Sequence, residues 1–284
     1  MSRRSRSRAA GPFLKWAGGK HSLLDQYAPF FPPRAETYYE PFVGSGAVFF
    51  YLRGRDFARR YVLSDTNAEL INVYAVVRDH LEELIVALAA HQQQHGREHY
   101  DAVRALDRAG LHRLDPVTRA ARLIYLNHTC YNGLWRVNRK GHFNVPMGRY
   151  RRPRILDEAR LRAASQALQG VDLHVRGFAG AAAEARPGDL VYFDPPYVPL
   201  SRTANFTSYA ADDFGEDDQR ALAETFRALA VRGCHVMLSN SDTPLVRELY
   251  AGFRIETIRA QRRINRDAAR RGPIDEVLVL SVPG

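Results

Sequence analysis

The sequence predicts an α/β protein, a layered fold around a mostly parallel sheet, with a mainly helical segment inserted into it. Three observations lead there. Short apolar runs rich in β-branched and aromatic residues alternate with helical patterns in both halves of the chain, and such alternation packs helices over a parallel sheet. Leu190-Val191-Tyr192-Phe193 is a continuous apolar run ending at Asp194, the pattern of a strand buried on both faces. From about Val76 to Ala164 the alternation gives way to helical periodicity with few strand signals.

Taken in order, Tyr38 to Phe42 reads as the end of a first strand. It runs into Val43-Gly44-Ser45-Gly46, and a helix starts over Ala47 to Leu52. Arg60 to Ser64 reads as a second strand ending at Asp65, with a helix beginning near Asn67 and Ala68. The middle of the chain is helical, then irregular and basic from Asn132 to Pro153. After Phe193 an amphipathic helix spans Asp217 to Val231, a buried strand His235 to Leu238, and a last strand Glu276 to Val282. The expected organisation is one domain from 11–75 and 165–284, an insertion at 76–164, and a solvated basic tail over Met1 to Ala10.

With 284 residues and 45% hydrophobic content, the chain is long enough to bury a large core. It has no run near the roughly 18 apolar residues that a membrane span needs. The Arg/Ser-rich N-terminus is not followed by the apolar segment of a signal peptide, so the expectation is a cytoplasmic protein. Cys130 and Cys234 are the only cysteines and the ten histidines show no ligand spacing, so neither a disulfide framework nor a metal site is expected. The net charge is +10, and basic residues crowd Arg136, Arg139 and Lys140, then Arg149 to Arg154, then Arg259 to Arg271. Clustering of this kind favours a polyanion partner over a charge spread for solubility, because neutralised phosphates release counterions.

Two segments carry chemistry. Gly44-Ser45-Gly46 lies between a strand and a helix, where glycines allow a tight turn and close approach to a ligand. Asp65 ends the next strand about 20 residues on, the place of an acid that binds a ribose diol. The pattern points to an adenosine-containing cofactor and leaves NAD(P) and S-adenosylmethionine both open. The second segment is Asp194-Pro195-Pro196-Tyr197. Its prolines remove two N–H donors, so a carboxylate and backbone carbonyls form a cluster of acceptors at the carboxyl edge of a sheet. The natural guest is an –NH2 group. Acceptors holding its protons pull an aromatic amine towards tetrahedral geometry and stabilise the positive charge that develops as it attacks. Tyr197 adds a flat face for a base.

At this point the chain resembles a family. Asp194-Pro195-Pro196-Tyr197 matches the catalytic motif of amino-group DNA methyltransferases. Phe13 to Lys20 (FLKWAGGK), Glu40 to Ala47 (EPFVGSGA) and Ser64 to Asn67 (SDTN) resemble the cofactor motifs of the Dam-type branch, the alpha-group DNA adenine methylases. Tyr131 to Asn138, Phe143 to Tyr150, Thr203 to Thr207 and Ser239 to Thr243 also match, in the family's order, over roughly Phe13 to the C-terminus. The resemblance implies a Rossmann-like methyltransferase domain with a target-recognition insertion, and a monomer acting on double-stranded DNA, of prokaryotic or phage origin.

The same resemblance implies that Trp16, Lys20, Gly44, Gly46, Asp65 and Asp194 hold S-adenosylmethionine, with Asp65 on the ribose hydroxyls. Asp194, Pro195, Pro196 and Tyr197 would act on a flipped adenine, with no metal. Within Tyr131 to Asn138, it implies that Tyr131, Asn132, Leu134, Arg136 and Asn138 read a GATC-like site, Arg136 on guanine and Leu134 on a thymine methyl. Pro146 and Arg149 belong to a second matching segment, and Lys15 would touch DNA at the edge of the site. Leu200 to Phe214 is a candidate lid, and Arg262 and Arg263 are candidate backbone clamps. Trp135 and Met147 depart from the family pattern and bear on flanking preference. Methyl transfer to another amino group, in RNA or on cytosine, fits the acceptor cluster as well. A non-catalytic DNA binder would have lost the acid or the aromatic, and a nicotinamide oxidoreductase gives Asp194 to Tyr197 no role.

Overall fold

Strands form where the apolar runs are densest: β1 (Ala35–Glu40), β2 (Ala58–Asp65), β3 (Asp172–Val175), β4 (Leu190–Phe193), β5 (His235–Ser241), β6 (Arg254–Gln261) and β7 (Pro273–Leu280). The structure is a computed structural model that describes residues 10–199, 214–261 and 273–281. The tail to residue 9, the candidate lid apart from Phe214, and Arg262 and Arg263 with the basic run to Arg271 lie outside the described residues. The helices are α1 (Leu24–Tyr27), α2 (Ala47–Arg53), α3 (Ala68–Asp79), α4 (Leu81–Gln93), α5 (Arg97–Ala105), α6 (Pro116–Thr129), α7 (Glu158–Leu168), α8 (Phe178–Ala182), α9 (Glu216–Val231) and α10 (Pro244–Leu249). Among the described residues no helix is long and apolar enough to cross a membrane.

The seven strands form one sheet in the order β3-β2-β1-β4-β5-β7-β6. β1 pairs parallel with β2 and with β4, and β4 parallel with β5. β7 runs antiparallel to β5 and β6. The predicted mostly parallel α/β fold is therefore what the chain adopts. The strand order reverses between β1 and β4, the Rossmann-like switch point outside whose carboxyl ends ligands bind in such sheets. β3 and β6 were not anticipated. They stand at the two ends of the order, where polar and charged residues are tolerated and no apolar run betrays a strand.

The chain divides into two compact units. The first holds the described part of Met1–Gly19, with Gly44–Asp56 and Asn67–Val175; the second holds Lys20–Val43, Phe57–Thr66 and the described part of Arg176–Gly284. All strands but β3 belong to the second. Its core is β4, every residue of which is buried, with Leu222, Phe226 and Leu229 of α9 and Val236, Leu238, Val277 and Val279 of the neighbouring strands. Each such side chain contributes about 1.5–3 kcal/mol by leaving water.

The first unit is helical. Asn67 caps α3, its Oδ1 accepting from Glu69 N and Leu70 N at 3.1 and 3.2 Å, and Asp115 with Pro116 starts α6. Arg122 of α6 and Asp107 are 2% and 3% exposed and pair at 2.7 Å. The same Asp107 oxygen accepts from Phe143 N at 2.7 Å, and Arg122 Nε donates to the Val103 carbonyl. This buried pair thereby ties α6 to the turn that follows Asn138. His91, His95 and His99 gather around Tyr125: His91 stacks on its ring at 4.8 Å and shares a hydrogen bond with His99 at 2.9 Å, and His95 bonds its hydroxyl.

Two outcomes follow from these clusters. Removing the cation from a buried pair leaves an uncompensated charge, so Arg122→Met should lower unfolding free energy by about 3–5 kcal/mol in urea titrations; a loss under about 1 kcal/mol would show that the pair is not the anchor. Burial, and then the neighbouring His99, lower the His91 pKa to about 4, below the unfolded value of about 6.5. The unfolded chain thus takes up a proton that the folded chain refuses, and stability falls as pH drops from about 6.5 to about 4. His91→Phe keeps the stack and should flatten that slope in melting temperatures measured across this range.

Candidate active site

β4 is apolar to its last residue, and Asp194 is the first polar group beyond it. Its Oδ1 accepts from Lys20 Nζ at 2.8 Å and from Ser239 Oγ of β5 at 2.8 Å. Because Ser239 has one proton and gives it to Asp194, the Tyr192 hydroxyl at 2.9 Å is the donor to Ser239. Lys20 is only 3% exposed, and a buried ammonium requires such an anionic partner. Its Nζ also lies 4.7 Å from the centre of the Tyr197 ring, a cation–π contact.

Tyr197 is fixed at its far end as well, its hydroxyl donating to Glu276 Oε2 at 2.8 Å. Burial raises the Tyr197 hydroxyl well above the ordinary tyrosine value, and the Asp194 charge adds to this, so it stays a donor. Burial also raises the Glu276 carboxyl, against the opposing pull of Lys20 and Tyr197. Between Asp194 and Tyr197 the two prolines supply no N–H. The Pro196 carbonyl accepts from Gln219 Nε2 at 2.8 Å, and Val198 N donates to Asn240 Oδ1 at 3.0 Å. Asp65, half-buried, ends β2 on the same carboxyl edge as β4, and its carbonyl accepts from Arg176 N at 3.1 Å. The second unit thus gathers Lys20, Asp194 and Tyr197 into direct contact and sets Asp65 two strands away.

In the first unit, Gly44 and Gly46 have φ of +47° and +66°, values that strain any residue with a Cβ. A Cβ at Gly44 would lie 3.0 Å from Trp16 Cδ1, and one at Gly46 would lie 2.7 Å from the Tyr74 hydroxyl oxygen. Gly44 and Gly46 thus carry the turn without a Cβ, and Gly44 lies against an indole. Trp16 in turn stacks on Trp135, centroids 6.4 Å apart and planes at 20°. Trp135 lies 4.9 Å from Phe143.

The segment from Tyr131 to Arg149 is held from behind. Asn127, fully buried, accepts from Lys15 N at 2.8 Å and donates to the carbonyls of Lys15 and Gly133 at 2.6 and 3.0 Å. It clamps Lys15 to the turn at Tyr131 to Leu134. Tyr131 and Leu134 are 50% and 44% exposed, unusual for large apolar groups and suited to an external partner. Asn132 and Arg149 are exposed too. Arg136 Nε donates to Asn144 Oδ1 at 2.7 Å, and Asn138 Oδ1 closes its own turn by accepting from Lys140 N and His142 N. The Pro146 carbonyl accepts from Tyr131 N at 2.9 Å. Lys15 Nζ lies 4.5 Å from the centre of the Tyr150 ring.

Sequence reasoning assigned no role to Gln219, Asn240, Glu276 or Asn127. Polar residues inside a buried strand, Ser239 and Asn240 in β5, and an acid opening the apolar run of β7 were the available signals.

With this geometry in view, the chain was compared with known proteins. The family model of the D12 class N6 adenine-specific DNA methyltransferases matches residues 16–264. The chain is 42% identical over 271 residues to the Type II methyltransferase M1.LlaDCHI of Lactococcus lactis subsp. cremoris, covering 94% of each. It is 40% identical over 284 residues to the Type II methyltransferase M.MjaIII of Methanocaldococcus jannaschii, covering 95% of this chain and 98% of that one. To the DNA adenine methylase of Escherichia coli K12 it is 38% identical over 275 residues, covering 96% of this chain and 95% of that one. The protein belongs to the D12 class of N6 adenine-specific DNA methyltransferases. It is an enzyme whose substrate is DNA.

Proposed function

We propose that the protein moves a methyl group from S-adenosylmethionine to N6 of adenine in double-stranded DNA, within GATC, after the base has turned out of the duplex. The observation that carries this reading is the Asp194 carboxylate, anchored through Oδ1 by Lys20 and Ser239 beside a turn that lacks two N–H groups. The proposed enzyme acts as a monomer in the cytoplasm.

The residues present fit the donor. A glycine turn lying against the Trp16 indole suits a flat adenosyl group, with Gly44 and Gly46 permitting the left-handed backbone of the turn. Asp65, at the end of β2, suits a ribose diol. The Asp194 carboxylate favours a nearby positive charge, an attraction that the Lys20 ammonium beside it partly offsets. When bound, S-adenosylmethionine supplies a methyl group on a cationic sulfur, an electrophile that needs no further activation.

The chain's own residues then handle the base. The Asp194 carboxylate and the Pro195 carbonyl accept hydrogen bonds from the two N6–H groups, which sharpens the nitrogen lone pair and stabilises its developing charge. Tyr197, held by Lys20 on one face and by Glu276 at its hydroxyl, offers its other face to the ring. An adenine paired in the duplex cannot reach these groups, so extrusion precedes chemistry. Residues 76–164 form the recognition insertion. There Arg136 reads guanine and Leu134 a thymine methyl, Tyr131, Asn132, Asn138, Pro146 and Arg149 line the same surface, and Lys15 contacts its edge.

Asp194→Ala should lower methyl incorporation into unmethylated plasmid DNA by at least about 10²–10³-fold while DNA affinity is retained; robust turnover would overturn the assignment. Arg136→Ala should weaken discrimination against a substituted guanine by about 1–3 kcal/mol. Single-molecule mapping of N6-methyladenine would register this as methylation outside GATC, and an unchanged site preference would remove Arg136 from the readout.

A further inference from the structure

We infer that Gln219 and Asn240 are positioning residues, a buried amide pair that holds the Asp194–Tyr197 turn so that the Pro195 carbonyl, and not that of Pro196, faces the substrate amine. The inference rests on the site proposed above. Gln219, on α9, is 2% exposed, and Asn240, on β5, is fully buried. Neither touches Asp194, Lys20 or Asp65 through any hydrogen bond among the described residues.

The direction of every bond in the pair follows from two groups that can only donate. Val198 N and Ser241 N both donate to Asn240 Oδ1, at 3.0 and 2.8 Å, which fixes the Asn240 amide with its oxygen towards them. Asn240 Nδ2 is then left to donate to Gln219 Oε1 at 3.1 Å. That fixes the second amide, whose Nε2 donates to the Pro196 carbonyl at 2.8 Å. The chain of donors therefore runs from backbone N–H groups through both side chains and ends on the catalytic turn. A turn with two prolines has no N–H of its own at these positions to restrain it. The pair grips it on both sides of Tyr197, at the Pro196 carbonyl and the Val198 N–H. With the Pro196 carbonyl engaged by Gln219, the Pro195 carbonyl is left, on this inference, to accept from the substrate amine.

Unlike simple packing, this arrangement depends on the polarity of a single hydrogen. A carboxyl group has the shape of the amide, but in place of Gln219 it can donate to the Pro196 carbonyl only while protonated. Ionised, it sets oxygen against oxygen and releases the turn.

The test is Gln219→Glu in the full-length chain, with a duplex carrying an unmethylated GATC site as substrate. At pH 8.5 the variant's kcat should fall on the order of 10²-fold, the scale of a misplaced reacting group. Burial raises a glutamate above its ordinary value of about 4.3, and a pKa near about 5 leaves about a tenth of it protonated at pH 6, so the ratio of variant to wild-type kcat should recover about tenfold between pH 8.5 and pH 6. KM for S-adenosylmethionine should stay within about twofold, since the turn and not the cofactor contacts is disturbed. Asn240→Asp should have low kcat at both pH values, because a carboxylate that accepts from Val198 N and Ser241 N stays ionised and removes the donor to Gln219, and it carries the test if Gln219→Glu does not fold. For folded Gln219→Glu, a ratio that is flat with pH, whether near one or uniformly low, overturns the inference, and for Asn240→Asp a kcat equal to wild type overturns it. Asp194→Ala measured alongside separates the two levels: an active Asp194→Ala enzyme overturns the reading of the site itself, whereas an inactive one with a flat ratio overturns only the role of the amide pair.

Discussion

A carboxylate at the exit of a fully buried strand imposes a problem that the rest of the second unit answers. Taking Lys20 out of water alone costs several kcal/mol, so its 2.8 Å contact with the partly exposed Asp194 is the condition of its burial. The remaining capacity of Asp194 Oδ1 is filled by Ser239, and Ser239 is itself oriented by Tyr192. The ammonium that holds the acid also lies over the Tyr197 ring, and the hydroxyl of that ring is held by Glu276. One ion pair thus sets the position of both the acid and the aromatic face, and it does so on β4 and β5, the most deeply buried strands of the sheet.

The first unit solves a different problem by the same means. Residues proposed to meet DNA bases have to be reachable, yet they have to be placed to within a fraction of an ångström. Tyr131, Leu134 and Arg136 lie on turns, which carry little restraint of their own. The restraint comes from behind them, where Asn127 grips Lys15 and Gly133, and where the Arg122–Asp107 pair grips the backbone at Phe143. Both anchors sit on or against α6. Every polar atom named in them has a partner, as a buried network requires if it is to stiffen a structure and not weaken it.

Much of this is legible in the sequence itself. β4, α9 and the passage from β1 through the glycine turn into α2 follow from apolar runs and periodicity, because burial on two faces or on one leaves a direct imprint on local composition. Asp194 to Tyr197 was readable because its chemistry is contiguous. β3 and β6 were not, since strands at the ends of a sheet need no apolar run. Glu276 and Asn240 were not, since their partners lie 79 and 21 residues away in Tyr197 and Gln219.

From the chain alone came the α/β class, the resemblance to the adenine methylases, and the list of groups able to hold an amine. Only the folded chain decided which oxygen of Asp194 is engaged, which proline carbonyl is taken, and which face of Tyr197 is covered. The division has a physical cause. Local sequence encodes periodicity and turn chemistry, which depend on neighbours within a few residues. The pairing of a buried donor with its acceptor depends on which segments the sheet order brings side by side, and that order is a property of the whole core.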